Sequence, residues 1–260
     1  MEIWQAIVLG AVQGFTEFLP VSSSGHLILL QNWFGITENT VFYTVMLHIG
    51  TLIPVILVLY KEIAGLFKEK WRRFFLLVLA TIPAGIFGIV FEKFVGIEEL
   101  FESHIWLLSV TFALTAAELI LAEIRAKKTA LENPINVKTA LTMGFGQAVG
   151  VLPGISRSGS TLTAGTLAKV KPEENAAFTF LMSIPIILAA AFLSSLEIIK
   201  NGSIGSVSAL PLAFGVLTAA ITGYIAVKFM LSVIKKSNYK WFSAYLILLS
   251  AANLIVYFVK

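Results

Sequence analysis

Residues 4–34 read WQAIVLGAVQGFTEFLPVSSSGHLILLQNWF, and residues 139–168 read TALTMGFGQAVGVLPGISRSGSTLTAGTLA. Each stretch is apolar at both ends and interrupted at its centre by a polar segment containing proline and glycine, Leu19–His26 in the first and Leu152–Gly159 in the second. Each half runs about 12–16 residues, short of the ~20 needed to cross a bilayer. This pattern predicts a re-entrant helix pair that dips into the membrane and returns to the side it came from. Irregular backbone at that depth is tolerated only where it lines a cavity or packs against protein. The two stretches also resemble each other. Both run Leu-Pro, a short gap, then Ser-x-Ser-Gly, the second one residue longer, and both carry a glutamine upstream, Gln13 and Gln147.

The rest of the chain supplies the apolar surroundings. Of its 260 residues 57% are hydrophobic and 13% charged, and the mean hydropathy is +0.87. A soluble domain of ordinary composition is nearer a quarter charged, so the bilayer is the expected solvent. Six apolar runs have the length of full spans: Thr40–Tyr60, Phe74–Phe94, His104–Ile124, Asn175–Ser195, Ala209–Leu231 and Trp241–Val259. Three follow each broken stretch. The chain therefore reads as one integral-membrane domain, 1–260, built from two copies at about 1–125 and 138–260. Because three spans is an odd number, the second copy must be inverted. The predicted fold is an all-α polytopic membrane protein: six transmembrane helices plus two re-entrant pairs in an inverted repeat, with its site near the bilayer midplane.

Charge placement tests this arrangement. Of the 19 lysines and arginines, 15 fall on the side reached after the first full span, between Lys61 and Lys240. Only Lys93, Lys200 and Lys260 fall on the other, and Arg157 stays within the second broken stretch. The basic side is the cytoplasmic one. Both termini are then outside, and the two polar loops approach each other from opposite faces. Cysteine is absent, which excludes disulfides and thiolate metal sites. The three histidines, His26, His48 and His104, form no HExxH pattern. No segment suggests a cleavable signal peptide, a soluble domain or a nucleic-acid-binding surface.

Arg157 is the most informative residue. An arginine at membrane depth costs at least ~2.5 kcal/mol and is usually paired and functional. It stands among Gly154, Ser156, Ser158, Gly159, Ser160 and Thr161. Glycines let backbone N–H groups approach an anion, hydroxyls add donors, and the resuming helix presents its positive end. An arginine fork over such a nest fits a phosphate. The competing reading is a structural ion pair with Glu17. In the first loop Gln13 lies one helical turn before Glu17, and Ser22, Ser23 or Ser24 can cap a new helix. Ser23 and His26 would then share a face. A serine near a histidine and a carboxylate can support nucleophilic or acid–base chemistry, although hydroxyls and a lone histidine often serve only helix packing. His48 reads as a buried hydrogen-bonding residue, His104 as interfacial, and Glu118 as an intramembrane acid that can pair across helices.

Two strings carry a resemblance. Gln13–His26 (QGFTEFLPVSSSGH) and Leu152–Thr161 (LPGISRSGST) resemble the first and second signatures of the bacitracin-resistance family of undecaprenyl-diphosphate phosphatases, and the likeness covers the whole chain. It implies removal of the terminal phosphate of undecaprenyl diphosphate, which recycles the lipid carrier for cell-wall synthesis and confers bacitracin resistance. It implies a plasma-membrane location, an active site open to the outer face, and a divalent cation, Mg2+ or Ca2+. Carried over by motif, Glu17, Ser23, His26 and Arg157 are the catalytic set; Gly154, Ser156, Arg157, Ser158 and Thr161 bind phosphate; Glu17 and Gln13 hold the metal. At the family's earlier acidic position, which is Glu or Gln, this chain has Gln13. The attacking group is Ser23, His26 or a water activated by His26, with Ser23 assisted by His26 preferred. Expected partners are the lipid substrate, membrane lipids and a second copy of the chain in a homodimer.

Two rivals remain at this stage. A polyprenyl-phosphate flippase would use the same midplane anion site. The other membrane lipid-phosphatase superfamily pairs Ser-Gly-His with Ser-Arg-x5-His, which Ser24-Gly25-His26 and Ser156-Arg157 echo. Its second histidine would fall at Thr163.

Overall fold

The computed structural model describes residues 1–36, 41–68, 71–201 and 208–259. Thr40, Lys70 and Lys260, which enter the span and charge readings, lie outside the described residues. Among those residues there are thirteen helices and no strand. In chain order they are α1 (Ile3–Phe18), α2 (Ser23–Trp33), α3 (Val41–Val58), α4 (Tyr60–Lys68), α5 (Trp71–Val95), α6 (Ile97–Ser103), α7 (Trp106–Lys128), α8 (Val137–Val149), α9 (Arg157–Leu167), α10 (Pro172–Leu181), α11 (Ser183–Asn201), α12 (Ala209–Lys236) and α13 (Lys240–Val259).

Six stretches are long and apolar enough to cross a membrane: α3, α5, α7, α12, α13, and α10 continued into α11 as Pro172–Leu196. They are the six runs read from the sequence, with shifted ends. The fourth differs, because it is interrupted at Met182. Pro185 withholds the N–H that the Leu181 carbonyl would accept, and Ser183 Oγ turns back onto the Phe180 carbonyl at 2.6 Å. The outer surface is apolar: Phe75, Phe192, Leu248 and Phe258 are 64%, 64%, 70% and 79% exposed. An all-α polytopic membrane protein is what these helices make.

Both broken stretches part into two helices where the sequence predicts. Leu19 precedes Pro20 and takes an extended backbone (ψ 142°) that ends α1, the conformation that a following proline ring enforces. Ser22 then turns at φ +70° and caps α2, its Oγ accepting from the Gly25 N–H at 3.4 Å. In the second stretch Gly154 turns at φ +83°. A Cβ there would stand 1.9 Å from Thr111 Oγ1 on α7, so both backbone sign and space require glycine. Ser156 caps α9, accepting from the Gly159 N–H at 3.1 Å.

The half-helices are held by close crossings. α1 lies along α12, α8 lies along α5, and α7 packs on α13 and α9. A Cβ on Gly14 would stand 2.0 Å from Thr222 Oγ1 and 2.4 Å from the Ala219 carbonyl, and one on Gly144 would stand 2.4 Å from the Ala80 carbonyl. Small residues permit this approach where no hydrophobic force drives helices together. Gly14→Ala is expected to destabilise the detergent-solubilised protein by about 1–3 kcal/mol. Gly85→Ala, which meets nothing within 4 Å, leaves the thermal midpoint unchanged or raises it. Equal midpoints for the two variants would show that the α1–α12 crossing does not depend on the missing side chain.

Candidate active site

Glu17 sits at the end of α1, 5% exposed, and four side chains converge on its carboxylate. Arg157, the first residue of α9, donates Nη2–H to Oε1. Ser23 Oγ donates to Oε2 at 2.7 Å, and Gln13 Nε2 donates to the same oxygen at 3.1 Å from one turn earlier. His48 Nε2 faces Oε2 at 3.5 Å. The structural ion pair weighed against the phosphate reading is therefore present, and it joins the two loops. The joint is reinforced beside it, where Ser158 Oγ donates to the Leu19 carbonyl at 3.3 Å. Gly25 also comes so close to the second loop that a Cβ would stand 2.9 Å from Gly154 Cα.

The expected pairing of Ser23 with His26 does not form. Ser23 gives its hydrogen to Glu17 instead. His26 turns away on the same helix: its Nδ1 lies 2.7 Å from the Ser22 carbonyl and its Nε2 2.7 Å from Tyr245 Oη on α13. A carbonyl only accepts, so Nδ1 carries the ring hydrogen. The neutral ring then accepts at Nε2 from the Tyr245 hydroxyl. Tyr245 also stacks on the imidazole at 5.7 Å, while Phe112 meets it edge-on. An i, i+3 relation places two residues on one side of a helix but does not choose their partners, and here both nearer partners are outside α2.

Of the residues expected to bind phosphate, Arg157 has spare capacity: its Nη1 is buried with no hydrogen-bond partner. The hydroxyls around it are engaged in protein contacts. Ser156 Oγ caps α9 and lies 3.2 Å from Ser158 Oγ, and Thr161 Oγ1 donates to the Arg157 carbonyl at 2.8 Å. Gly154 packs on α7, where Thr115 Oγ1 takes the Ser156 N–H at 3.1 Å and donates to the Gly154 carbonyl at 3.3 Å. The second loop is thus a braced platform that presents Arg157 and the first-turn N–H groups of α9. Glu118, also on α7, accepts from Ser160 Oγ at 2.6 Å, the cross-helix pairing foreseen for it.

His48 and Tyr245 are the residues that sequence reasoning did not place here. Neither has a polar neighbourhood in the chain, and packing of α3 and α13 alone brings them in. For a cation, the first loop offers the Glu17 carboxylate and the Gln13 amide oxygen, which is fully buried and unpartnered. These two hard oxygens suit a divalent cation such as Mg2+ or Ca2+. Among the described residues no three His, Asp or Glu side chains gather into a self-sufficient site.

Comparison with known proteins bears on what such a site does. A family model described as "Bacitracin resistance protein BacA" matches residues 6–252. The undecaprenyl-diphosphatase of Carboxydothermus hydrogenoformans is 38% identical over 258 residues, 98% of each chain. That of Bacteroides fragilis is 37% identical over 266 residues, also 98% of each, and that of Methanobrevibacter smithii is 37% identical over 94% of each.

The His26 geometry predicts a spectroscopic signature. With 15N-histidine in nanodiscs, His26 should be an Nδ1–H tautomer whose Nε2 accepts a hydrogen bond. Tyr245→Phe should move the Nε2 resonance to its unbonded position and leave Nδ1 in place. An Nε2 resonance indifferent to that change would show that the hydroxyl does not hold the ring.

Proposed function

The chain belongs to the bacitracin resistance protein BacA family, and we propose that it hydrolyses undecaprenyl diphosphate to the monophosphate and inorganic phosphate within the membrane. The observation that carries this reading is the convergence of Arg157 and Ser23, from loops far apart in the chain, on the single carboxylate of Glu17. One group grips a phosphate, one attacks it, and one takes a proton, all in contact before substrate arrives.

The sequence of events follows from the hydrogen bonds. The terminal phosphate competes with Glu17 for the Arg157 guanidinium, whose Nη1 is free to start the exchange. A bidentate arginine–phosphate contact is the stronger pairing for a planar fork. As Arg157 leaves Oε1, Glu17 loses its counter-charge and becomes able to accept the Ser23 proton across the 2.7 Å hydrogen bond. Ser23 Oγ then attacks the terminal phosphorus. The bond from that phosphorus to the bridging oxygen breaks, and the lipid monophosphate departs with the proton that Glu17 had taken, which leaves Glu17 a carboxylate again. Water releases the phosphate from Ser23 in a second step with Glu17 as base, and the proton returns to Ser23. Arg157 and the first-turn N–H groups of α9 stabilise charge on the transferred group. Glu17 thereby takes the assisting role expected of His26. The alternative in which water attacks directly uses the same carboxylate. A divalent cation held by Glu17 and Gln13 would, when bound, neutralise phosphate charge.

The reading extends to topology. Both termini outside and a site open to the outer face are supported by the charge asymmetry. An inverted repeat of 1–125 and 138–260 is supported by exchanged contacts. α1 packs on α12 as α8 packs on α5, and α3 packs on α12 as α11 packs on α5. His26 of α2 meets Tyr245 of α13 as Ser160 of α9 meets Glu118 of α7.

Phosphate release from undecaprenyl diphosphate tests the proposal. Wild type should release phosphate with Mg2+, Ca2+ or Mn2+ and stop with EDTA. Arg157→Ala should lower kcat by about 100-fold or more, and Ser23→Ala should be as severe if its oxygen attacks. A Ser23→Ala enzyme retaining a tenth of the rate would transfer the attack to water. Folded wild type that releases no phosphate with any of these cations would overturn the assignment.

A further inference from the structure

His48 poses a problem of hydrogen-bond arithmetic. It stands within α3, and its Nδ1 lies 2.8 Å from the Thr44 carbonyl one turn earlier. That oxygen can only accept, so Nδ1 carries a hydrogen and Nε2 is the nitrogen turned toward Glu17. Nε2 stands 3.5 Å from Glu17 Oε2, while Arg157 sits on the other carboxylate oxygen. Gln13 Oε1 is buried with no partner, and the other end of that amide touches the same Oε2. An unmade bond of this kind costs about 1–3 kcal/mol, and a cation held with Glu17 Oε2 and His48 Nε2 would supply it. The His48 side chain is 26% exposed, against 4% for that of Glu17.

We propose that His48 Nε2 is a metal ligand, acting with Glu17 and Gln13, and that its nitrogen sets the ion preference of this chain toward Mn2+ and away from Mg2+ and Ca2+. The chemical reason is ligand type. Magnesium and calcium favour all-oxygen shells, whereas imidazole suits first-row transition ions. The amide of Gln13 reinforces the choice. With one carboxylate instead of two, the site offers less charge to a hard ion and leans on the nitrogen for affinity. The inference builds on the cation role in the proposed hydrolysis, but it concerns binding alone and is measured without substrate.

The experiment is Mn2+ titration of the full-length protein in nanodiscs, followed by electron paramagnetic resonance, with electron spin echo modulation to detect directly bound nitrogen. Wild type should bind one Mn2+ with imidazole 14N modulation, and excess Mg2+ should displace it poorly. His48→Gln should abolish the modulation and weaken Mn2+ by about 10-fold or more, while changing Ca2+ affinity little. His48→Asn, and a thermal midpoint for each variant, guard against a folding defect. Bound Mn2+ without nitrogen modulation in wild type would overturn the proposal, and so would no Mn2+ binding at all. Either failure is separable from failure of the phosphatase reading, because phosphate release by wild type is measured independently.

Discussion

The contact between Glu17 and Arg157 organises the rest of this molecule. Glu17 ends the half-helix before one polar break and Arg157 opens the half-helix after the other, and neither could be left there alone. Removing one partner of a buried pair costs about 3–5 kcal/mol because the other remains desolvated and unmatched. The pair therefore obliges two loops some 140 residues apart in the chain to meet, and the contacts around it serve that meeting. Ser22 and Ser156 cap the resuming helices, Thr115 braces the second loop against α7, and Ser158 ties it to the Leu19 carbonyl. In the proposed hydrolysis the same pair is exchangeable, since a phosphate could engage both arms of the Arg157 fork where Glu17 is held through one. Stability and reactivity here draw on one interaction.

Much of this was legible in the chain. Pro20 and Pro153 mark the two breaks: a proline ring disfavours helix at the residue before it, and each stands here beside serines and a glycine that can turn the chain. Arg157 and Glu17 stand out because charge is scarce in an apolar sequence. The six spans follow from length and composition. Span ends moved by a few residues because basic residues at the interface continue a helix beyond its apolar part, as at Trp106–Lys128 and Ala209–Lys236.

What was not legible depends on rotation about helix axes. A span that is apolar on every side carries no stripe to say which face turns inward. Nothing local therefore aims His48 at Glu17 or Tyr245 at His26, and the two histidines were weighed in the wrong order of proximity to the carboxylate. The partner of Ser23 was missed for a related reason. Spacing placed it beside His26, but α1 ends close enough for Glu17 to claim the hydroxyl first. The interruption at Met182 was hidden because Pro54 and Pro83 lie inside α3 and α5 without ending them, so proline alone does not distinguish a bent span from a divided one.

The glycine-lined crossing of α1 and α12 has a consequence for biosynthesis. Gly10 and Gly14 rest on the backbone of α12 from Gly215 to Gly223, a surface that the ribosome has not yet made when α1 emerges. At about 5–20 residues per second, the wait is on the order of 10–40 s. Throughout it the first half-helix, too short to anchor itself across the bilayer and carrying Glu17 without its arginine, can rest on α2 and α3 but lacks its largest native partner. The half-helix that carries Glu17 is thus among the first segments translated and among the last to be fully seated.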